Sequence, residues 1–140
     1  MSFDKSQINE LIKQRRSIFP KTYNDRPIPQ EIIQQVLDNA NWAPTHRFTE
    51  PWRFKVFRGK GLEKLGDFMA NLYREHSSEA QFSEHKYEKT RKKPRKSACV
   101  IAICMQRDPE ERVPEWEELA AVACAVQNMW FTCTAFGIGA

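Results

Sequence analysis

EWEELAAVACAVQNMWFTCTAF, residues 115–136, is the stretch on which the fold turns. From Leu119 to Phe136 it runs 18 residues without a charge, the lower edge of what crosses a bilayer. A helix apolar on all sides is either a core helix or a membrane span. Gln127 and Asn128 sit at its middle, and Thr132 and Thr134 follow. Ala120, Ala121, Ala123 and Ala125 let other backbones come close, and no basic anchor follows. These features favour a long core or subunit-interface helix over a span. Glu115, Glu117 and Glu118 open it, where the positive end of the helix favours carboxylates, and Gly137 is a suitable stop.

Working outward, residues 98–105 (ACVIAICM) are continuously apolar and β-rich, which predicts a strand covered on both faces. Residues 106–114 read as a charged loop. Arg53 to Phe57 alternates polar and apolar, as a half-buried strand does. Gly59 and Gly61 turn the chain, and Leu62, Leu65, Phe68, Met69 and Leu72 predict a third amphipathic helix. A polar region covers about 74–96. At the other end, Ile8, Leu11 and Ile12 predict a first helix over 4–16, closing in Arg15-Arg16 and followed by Ser17. Residues 18–29, with Pro20, Pro27 and Pro29, read as an extended connector. Residues 30–42 predict a second helix with Ile32, Ile33, Val36, Leu37 and Ala40 on its apolar face. Pro44 breaks it, and 43–51 is a loop closed by Pro51-Trp52. No internal repeat or linker appears, so residues 1–140 read as one mixed domain.

The composition agrees with a folded, globular chain. Of 140 residues, 41% are hydrophobic and 29% charged, with 5 Gly and 8 Pro, which excludes collagen-like or linker-like sequence. Four Trp, 3 Tyr and 9 Phe exclude bulk disorder. The net charge of +4 suits an anionic small ligand as well as nucleic acid. The start, Met-Ser-Phe-Asp-Lys, has no apolar signal core. Cys99, Cys104, Cys124 and Cys133 form no CxxC pair and have no metal-ligand spacing with a His. They read as buried thiols of a reducing, cytoplasmic compartment.

Three features could carry chemistry. Seven of the eleven residues Lys86–Lys96 are Lys or Arg. This is either a nucleic-acid patch or, as the single interleaved Tyr87 favours, the solvated end of a helix. His76 and His85 lie in the polar stretch and read as exposed. His46 lies in the loop after the second helix, where binding residues concentrate. Arg15-Arg16-Ser17 either complements a helix C-terminus or clamps a phosphate. No P-loop, HExxH, GxSxG or paired carboxylates appear, and Gly137-x-Gly139 is too short for a dinucleotide fingerprint.

Four segments in order resemble the flavin-dependent nitroreductase family. They are RRS at 15–17, YNDRPIP at 23–29, WAPTHRFTEPWRFKVF at 42–57 and VPEWEELAAVACAVQNMWFTCTAFGIGA at 113–140. The third is most similar to short single-domain NAD(P)H nitroreductases. The resemblance implies an α+β fold with a central, mostly antiparallel sheet flanked by helices. It implies a homodimer with FMN at each subunit interface, no nucleic-acid or membrane partner, and no metal. Arg15, Arg16 and Ser17 would bind FMN, the Arg pair near its phosphate and ribityl end. His46 matches a flavin-contacting loop histidine. Trp42 stands where relatives have a flavin-binding Arg, so its contact would be through backbone or packing. Lys21, after an apparent two-residue insertion at Phe19-Pro20, is the candidate cation near flavin N1/O2. Phe48 and Glu50 depart from residues common in larger relatives.

Thr132 to Gly137 match a segment assigned to NAD(P)H binding, which makes Thr132 and Gly137 further cofactor candidates. The implied mechanism is ping-pong: NADH or NADPH delivers a hydride to flavin N5, and a nitroaromatic, quinone or similar small acceptor is then reduced by two electrons. No protein nucleophile is required. Relatives continue into a C-terminal segment with further flavin-phosphate contacts, and the 140 residues are expected to lack it. A non-catalytic flavin-binding member and a basic nucleic-acid-binding module are the alternatives.

Overall fold

Among the described residues, apolar stretches form four α-helices, the polar stretch before the second strand forms a fifth, and the two β-rich runs form two strands. The computed structural model describes residues 3–140. The elements are α1 (Lys5–Gln14), α2 (Gln30–Ala40), β1 (Trp52–Phe57), α3 (Lys60–Glu75), α4 (Glu84–Lys92), β2 (Val100–Met105) and α5 (Glu115–Ala135). The strands pair as a two-stranded sheet. Gln106 N–H donates to the Pro51 carbonyl at 2.8 Å. The start of β1 thus meets the end of β2, so the pair is antiparallel. The architecture is α+β.

The chain divides into two compact units. One holds the N-terminal segment to Phe19, then Pro29–Phe54 and Ile103–Ala140; the other holds Pro20–Ile28 and Lys55–Ala102.

In the first unit, α2 lies on α5. Ile33, Val36 and Ala40 are buried on α2, and Ala121, Val122, Ala125, Met129 and Thr132 are buried on α5. The small residues on α5 allow close approach of backbones, so polar groups reach across. Asn39 Nδ2 donates to Thr132 Oγ1 at 2.9 Å, and Asn128 Nδ2 donates to the Asn39 carbonyl at 3.1 Å. Among the described residues, no helix is long and apolar enough to cross a membrane. α2 ends at Ala40 rather than Trp42. Asn41, Trp42 and Ala43 continue as tighter three-residue turns (Asn41 N–H to Asp38, Trp42 to Asn39, Ala43 to Ala40), because the following Pro44 disfavours the helical region for Ala43.

In the second unit, α3 packs on α4. Gly66 is buried there, and a side-chain carbon at that position would collide with the Arg91 carbonyl. The polar region therefore holds a folded helix, α4. Ser83 caps it, and Tyr73 bridges into the preceding turn by donating to the Gln81 carbonyl at 3.1 Å. Tyr87 is covered by the Arg74 guanidinium, 4.0 Å from its ring centre. The one aromatic within the basic run is thus occupied inside this unit.

Three expectations need correction. The 18–29 connector contains a 3-10 turn at Pro20–Thr22, since Pro fixes φ at a value a first helical turn accepts. β2 is not covered on both faces: Cys104 is exposed and Ile103 is 47% exposed. A continuous apolar run shows that both faces tolerate cover, and the β1–β2 pair supplies only part of it. Among the described residues the thiols form no disulfide, and they are not buried; Cys99, Cys124 and Cys133 are half-buried and Cys104 is exposed. Partial burial pushes the Cys99 thiol pKa up, against the nearby Arg58 charge.

Candidate functional site

The loop after α2 is held in a costly conformation. Arg47 (φ 53°), Phe48 (φ 53°) and Glu50 (φ 41°) are all left-handed without being glycine. Each such residue costs on the order of 1–3 kcal/mol and persists only where surrounding bonds impose it. Those bonds are local. Glu50 N–H donates to Thr45 Oγ1 at 3.1 Å, the Thr45 and Thr49 hydroxyls meet at 3.3 Å, and Arg53 Nη1 donates to the Glu50 carbonyl at 2.8 Å. Clustered strain of this kind marks functional loops.

This loop places His46 against the first turn of α5. His46 Nδ1 and Glu117 Oε2 are 2.6 Å apart. The pair stands at an open cleft of about 380 Å³ whose other walls are Pro44, Thr45, Trp116, Ala120, Ala121 and Cys124. The walls are mainly apolar, and the hydrogen-bonding groups gather at one side, as in small-molecule sites.

The next residue, Glu118, does something different. It is 1% exposed. One oxygen accepts from Arg107 Nη1 and the other from the Asp108 N–H at 2.9 Å. Asp108 is itself buried and takes two bonds from the Arg112 guanidinium, at 2.8 and 3.1 Å. Arg112 holds the Asp108 carboxyl below the usual carboxylate range, against the opposing effect of burial. This network ties the 106–114 loop to α5 and fixes the helix end that carries Glu117.

Arg15 meets α5 toward its C-terminal end, and Arg16 lies next to it in sequence. α1 stops at Gln14, so the Arg pair lies just past the helix rather than inside it. The Arg15 guanidinium lies 4.4 Å from the centre of the Trp130 ring. Arg16 Nη1 donates to the Lys13 and Arg15 carbonyls, covering orphan groups of the helix end. Among the described residues no carboxylate pairs with either guanidinium. Ser17 is exposed, and the Ile18 N–H donates to the Ala140 carbonyl at 3.0 Å, which lays the RRS segment beside the last residues. Trp130 Nε1 is buried and has no hydrogen-bond partner among the described residues.

The other expected site residues have varied settings. Trp42 is 84% exposed. Gly137 adopts φ 66° just past α5, where its N–H bonds the Thr134 carbonyl at 3.0 Å and closes the helix as glycine does. Thr132 is buried, and its hydroxyl donates to the Asn128 carbonyl at 2.8 Å while accepting from Asn39. Its hydroxyl proton is therefore spent inside α5, and its oxygen accepts across the α2–α5 contact. Lys21 belongs to the second unit, exposed in the Pro20–Thr22 turn, with no ion pair among the described residues. His76 and His85 are exposed. Among the described residues no cluster of His, Cys, Asp or Glu could hold a metal.

His46 and Arg15 meet α5 at Glu117 and Trp130, thirteen residues and so about 20 Å apart along the helix. Sequence reasoning missed Glu117, Glu118 and Trp130 as parts of these clusters. Only Glu118 left a signal: it falls on the same face as Ala121 and Val122, one turn on, and Ala125, two turns on.

Comparisons with known proteins bear on the family and the fold. Residues 12–140 match the sequence pattern of the Nitroreductase family. The chain is 32% identical over 132 residues to the "Putative NAD(P)H nitroreductase YdjA" of Escherichia coli (strain K12), covering 93% of this chain and 68% of that protein. Its fold matches that of a nitroreductase-like family protein from Bacillus cereus with TM-score 0.76 and 28% identity, covering 98% of this chain and 68% of that one. It also shares the fold of the FMN-dependent nitroreductase NfnB from Mycobacterium smegmatis, solved with NADPH, at TM-score 0.72 and 17% identity; the match covers 96% of this chain and 73% of NfnB. The chain thus spans about two thirds of the length of the first two.

Proposed function

The chain belongs to the nitroreductase family, and from that premise we propose that it is an FMN-dependent oxidoreductase. It uses NADH or NADPH to reduce nitroaromatics, quinones or similar electron-poor acceptors. The observation that carries this reading is the charge surplus at the C-terminal end of α5. Among the described residues the Arg15 guanidinium, without a carboxylate partner, lies on Trp130, whose buried indole N–H lacks an acceptor, and the adjacent Arg16 also has no carboxylate partner. Surplus cations and an unspent donor fit a phosphorylated aromatic group, whose phosphate carries nearly two negative charges.

Bound FMN would accept two electrons from the nicotinamide and pass them to the acceptor. The chain's own residues bind and orient. Arg15 and Arg16 hold the phosphate and ribityl end, with Trp130 as a shelf that fixes the Arg15 plane. Ser17 adds a hydroxyl. His46 contacts the ring from the strained loop, and Trp42 contributes through packing. Lys21 is retained near flavin N1/O2, and Thr132 and Gly137 toward the nicotinamide, on the resemblance alone. The buried hydroxyl of Thr132 makes a backbone or shape contribution the fitting role there.

The reading includes a cytoplasmic homodimer. The exposed Trp42, Phe48, Trp116 and Leu119, at 84, 86, 69 and 59%, supply apolar surface for a second copy to cover. Sedimentation of the full chain with FMN is expected to give twice the chain mass. The direct functional test is FMN titration of wild type and Arg15→Ala. Loss of a charge-assisted contact weakens binding by about 10- to 100-fold. Equal affinity in the two proteins contradicts the clamp.

A further inference from the structure

We propose that Glu117 is a positioning residue for His46, holding the imidazole in its Nδ1–H form and making Nε2 the atom that meets the bound flavin ring. This rests on the flavin reading above. An ionised carboxylate only accepts hydrogen bonds, so at 2.6 Å from Glu117 Oε2 the proton belongs on His46 Nδ1. Imidazole in water prefers the opposite tautomer, with the proton on Nε2. The second ring nitrogen is then set by what the first one bonds. Among the described residues Nε2 has no partner, and His46 lines the cleft.

Two further features make the hold rigid. On the His46 side, the left-handed Arg47 and Phe48 and the Thr45–Thr49–Glu50 bonds fix the loop backbone. On the other side, Glu118 anchors the same helical turn to Arg107 and the Asp108 N–H. The Glu117 side chain is 26% exposed and that of His46 59%, so the carboxylate is the more shielded partner of the pair. The adjacent glutamates divide the work: one fixes the helix, the other orients the histidine.

The test uses the full-length chain labelled with 15N, first without FMN. The side-chain nitrogens of His46, assigned by comparison with His46→Gln, are read above the pH at which the ring titrates. Wild type is expected to show Nδ1 in the protonated range and Nε2 in the unprotonated range, and Glu117→Gln to move both toward the water-like pattern. FMN titration then follows. Glu117→Gln is expected to bind about tenfold more weakly, the worth of one hydrogen bond, and Glu117→Asp to recover most of that loss. Circular dichroism of each variant confirms folding.

A wild-type ring protonated on Nε2 overturns the proposal. So do unchanged nitrogen shifts and unchanged FMN affinity in Glu117→Gln. If wild type binds no FMN at all, the flavin reading falls and the contact assigned to Nε2 falls with it. The nitrogen shifts then decide separately whether Glu117 holds the histidine.

Discussion

The two ends of α5 carry opposite charges and differ in how those charges are satisfied. At the N-terminal end, Glu117 has His46 and Glu118 has Arg107 and a backbone N–H. At the C-terminal end, Arg15 rests on Trp130, Arg16 covers two carbonyls, and neither faces a carboxylate among the described residues. Both arrangements suit the helix macrodipole. Only the first is complete within the chain. A completed cluster contributes to folding, and an incomplete one has its binding energy left for a ligand. Substitutions at the two ends should therefore separate stability from binding.

The largest expected effect is at the completed end. Glu118→Ala leaves the Asp108 N–H without its acceptor and Arg107 with only the Val113 carbonyl and the exposed Glu111, and breaking such a pair costs about 3 kcal/mol, at the low end because Arg107 stays partly solvated. A lower denaturation midpoint at unchanged slope verifies it; an unchanged midpoint removes the contrast between the two ends. Arg15→Ala is the counterpart. It should lower FMN affinity about 10- to 100-fold while moving stability by less than about 0.5 kcal/mol. A large loss of stability in that variant makes the Arg–Trp130 stack structural instead.

The acid limb sharpens the same contrast. The Asp108 pKa is depressed in the folded chain, chiefly by Arg112, so its contribution is complete above the ordinary carboxylate value of 3.8. It is lost as pH falls through the lower folded value. Urea midpoints measured downward from pH 5 should fall less steeply in Asp108→Asn than in wild type. The smallest effect concerns the loop. Arg47→Gly places glycine where φ is 53° and should raise the melting temperature slightly, by up to about 1 kcal/mol of relieved strain, less the entropy gained by the unfolded chain. A lowered melting temperature denies that the strain is stored there.

The long elements were legible because their signals are periodic and local. β1 and the apolar faces of α2 and α3 follow from spacing, α5 follows from a long uncharged run opened by acids and closed by glycine, and the prolines mark the breaks. The RRS segment was legible only as a choice between a helix-end complement and an anion clamp, since cations after a helix serve the first use as readily as the second. The partners were not legible. Glu117 reads as one of three acids at a helix start, and nothing in its own neighbourhood points 71 positions back to His46. Trp130 reads as one apolar residue of a core helix, yet it serves as the platform under Arg15. The exposure of β2 was misjudged for a related reason: an apolar run reports what a strand tolerates, and the tertiary partners decide what covers it.

The measurement closest to the central claim is an FMN titration of the full-length chain followed by addition of NADH or NADPH. The account predicts a bound, yellow flavin that bleaches with the nicotinamide and recolours when a nitroaromatic or a quinone is added. A protein that binds FMN but never bleaches is a flavin-binding member without turnover. A chain that leaves FMN free in solution contradicts the account at its root.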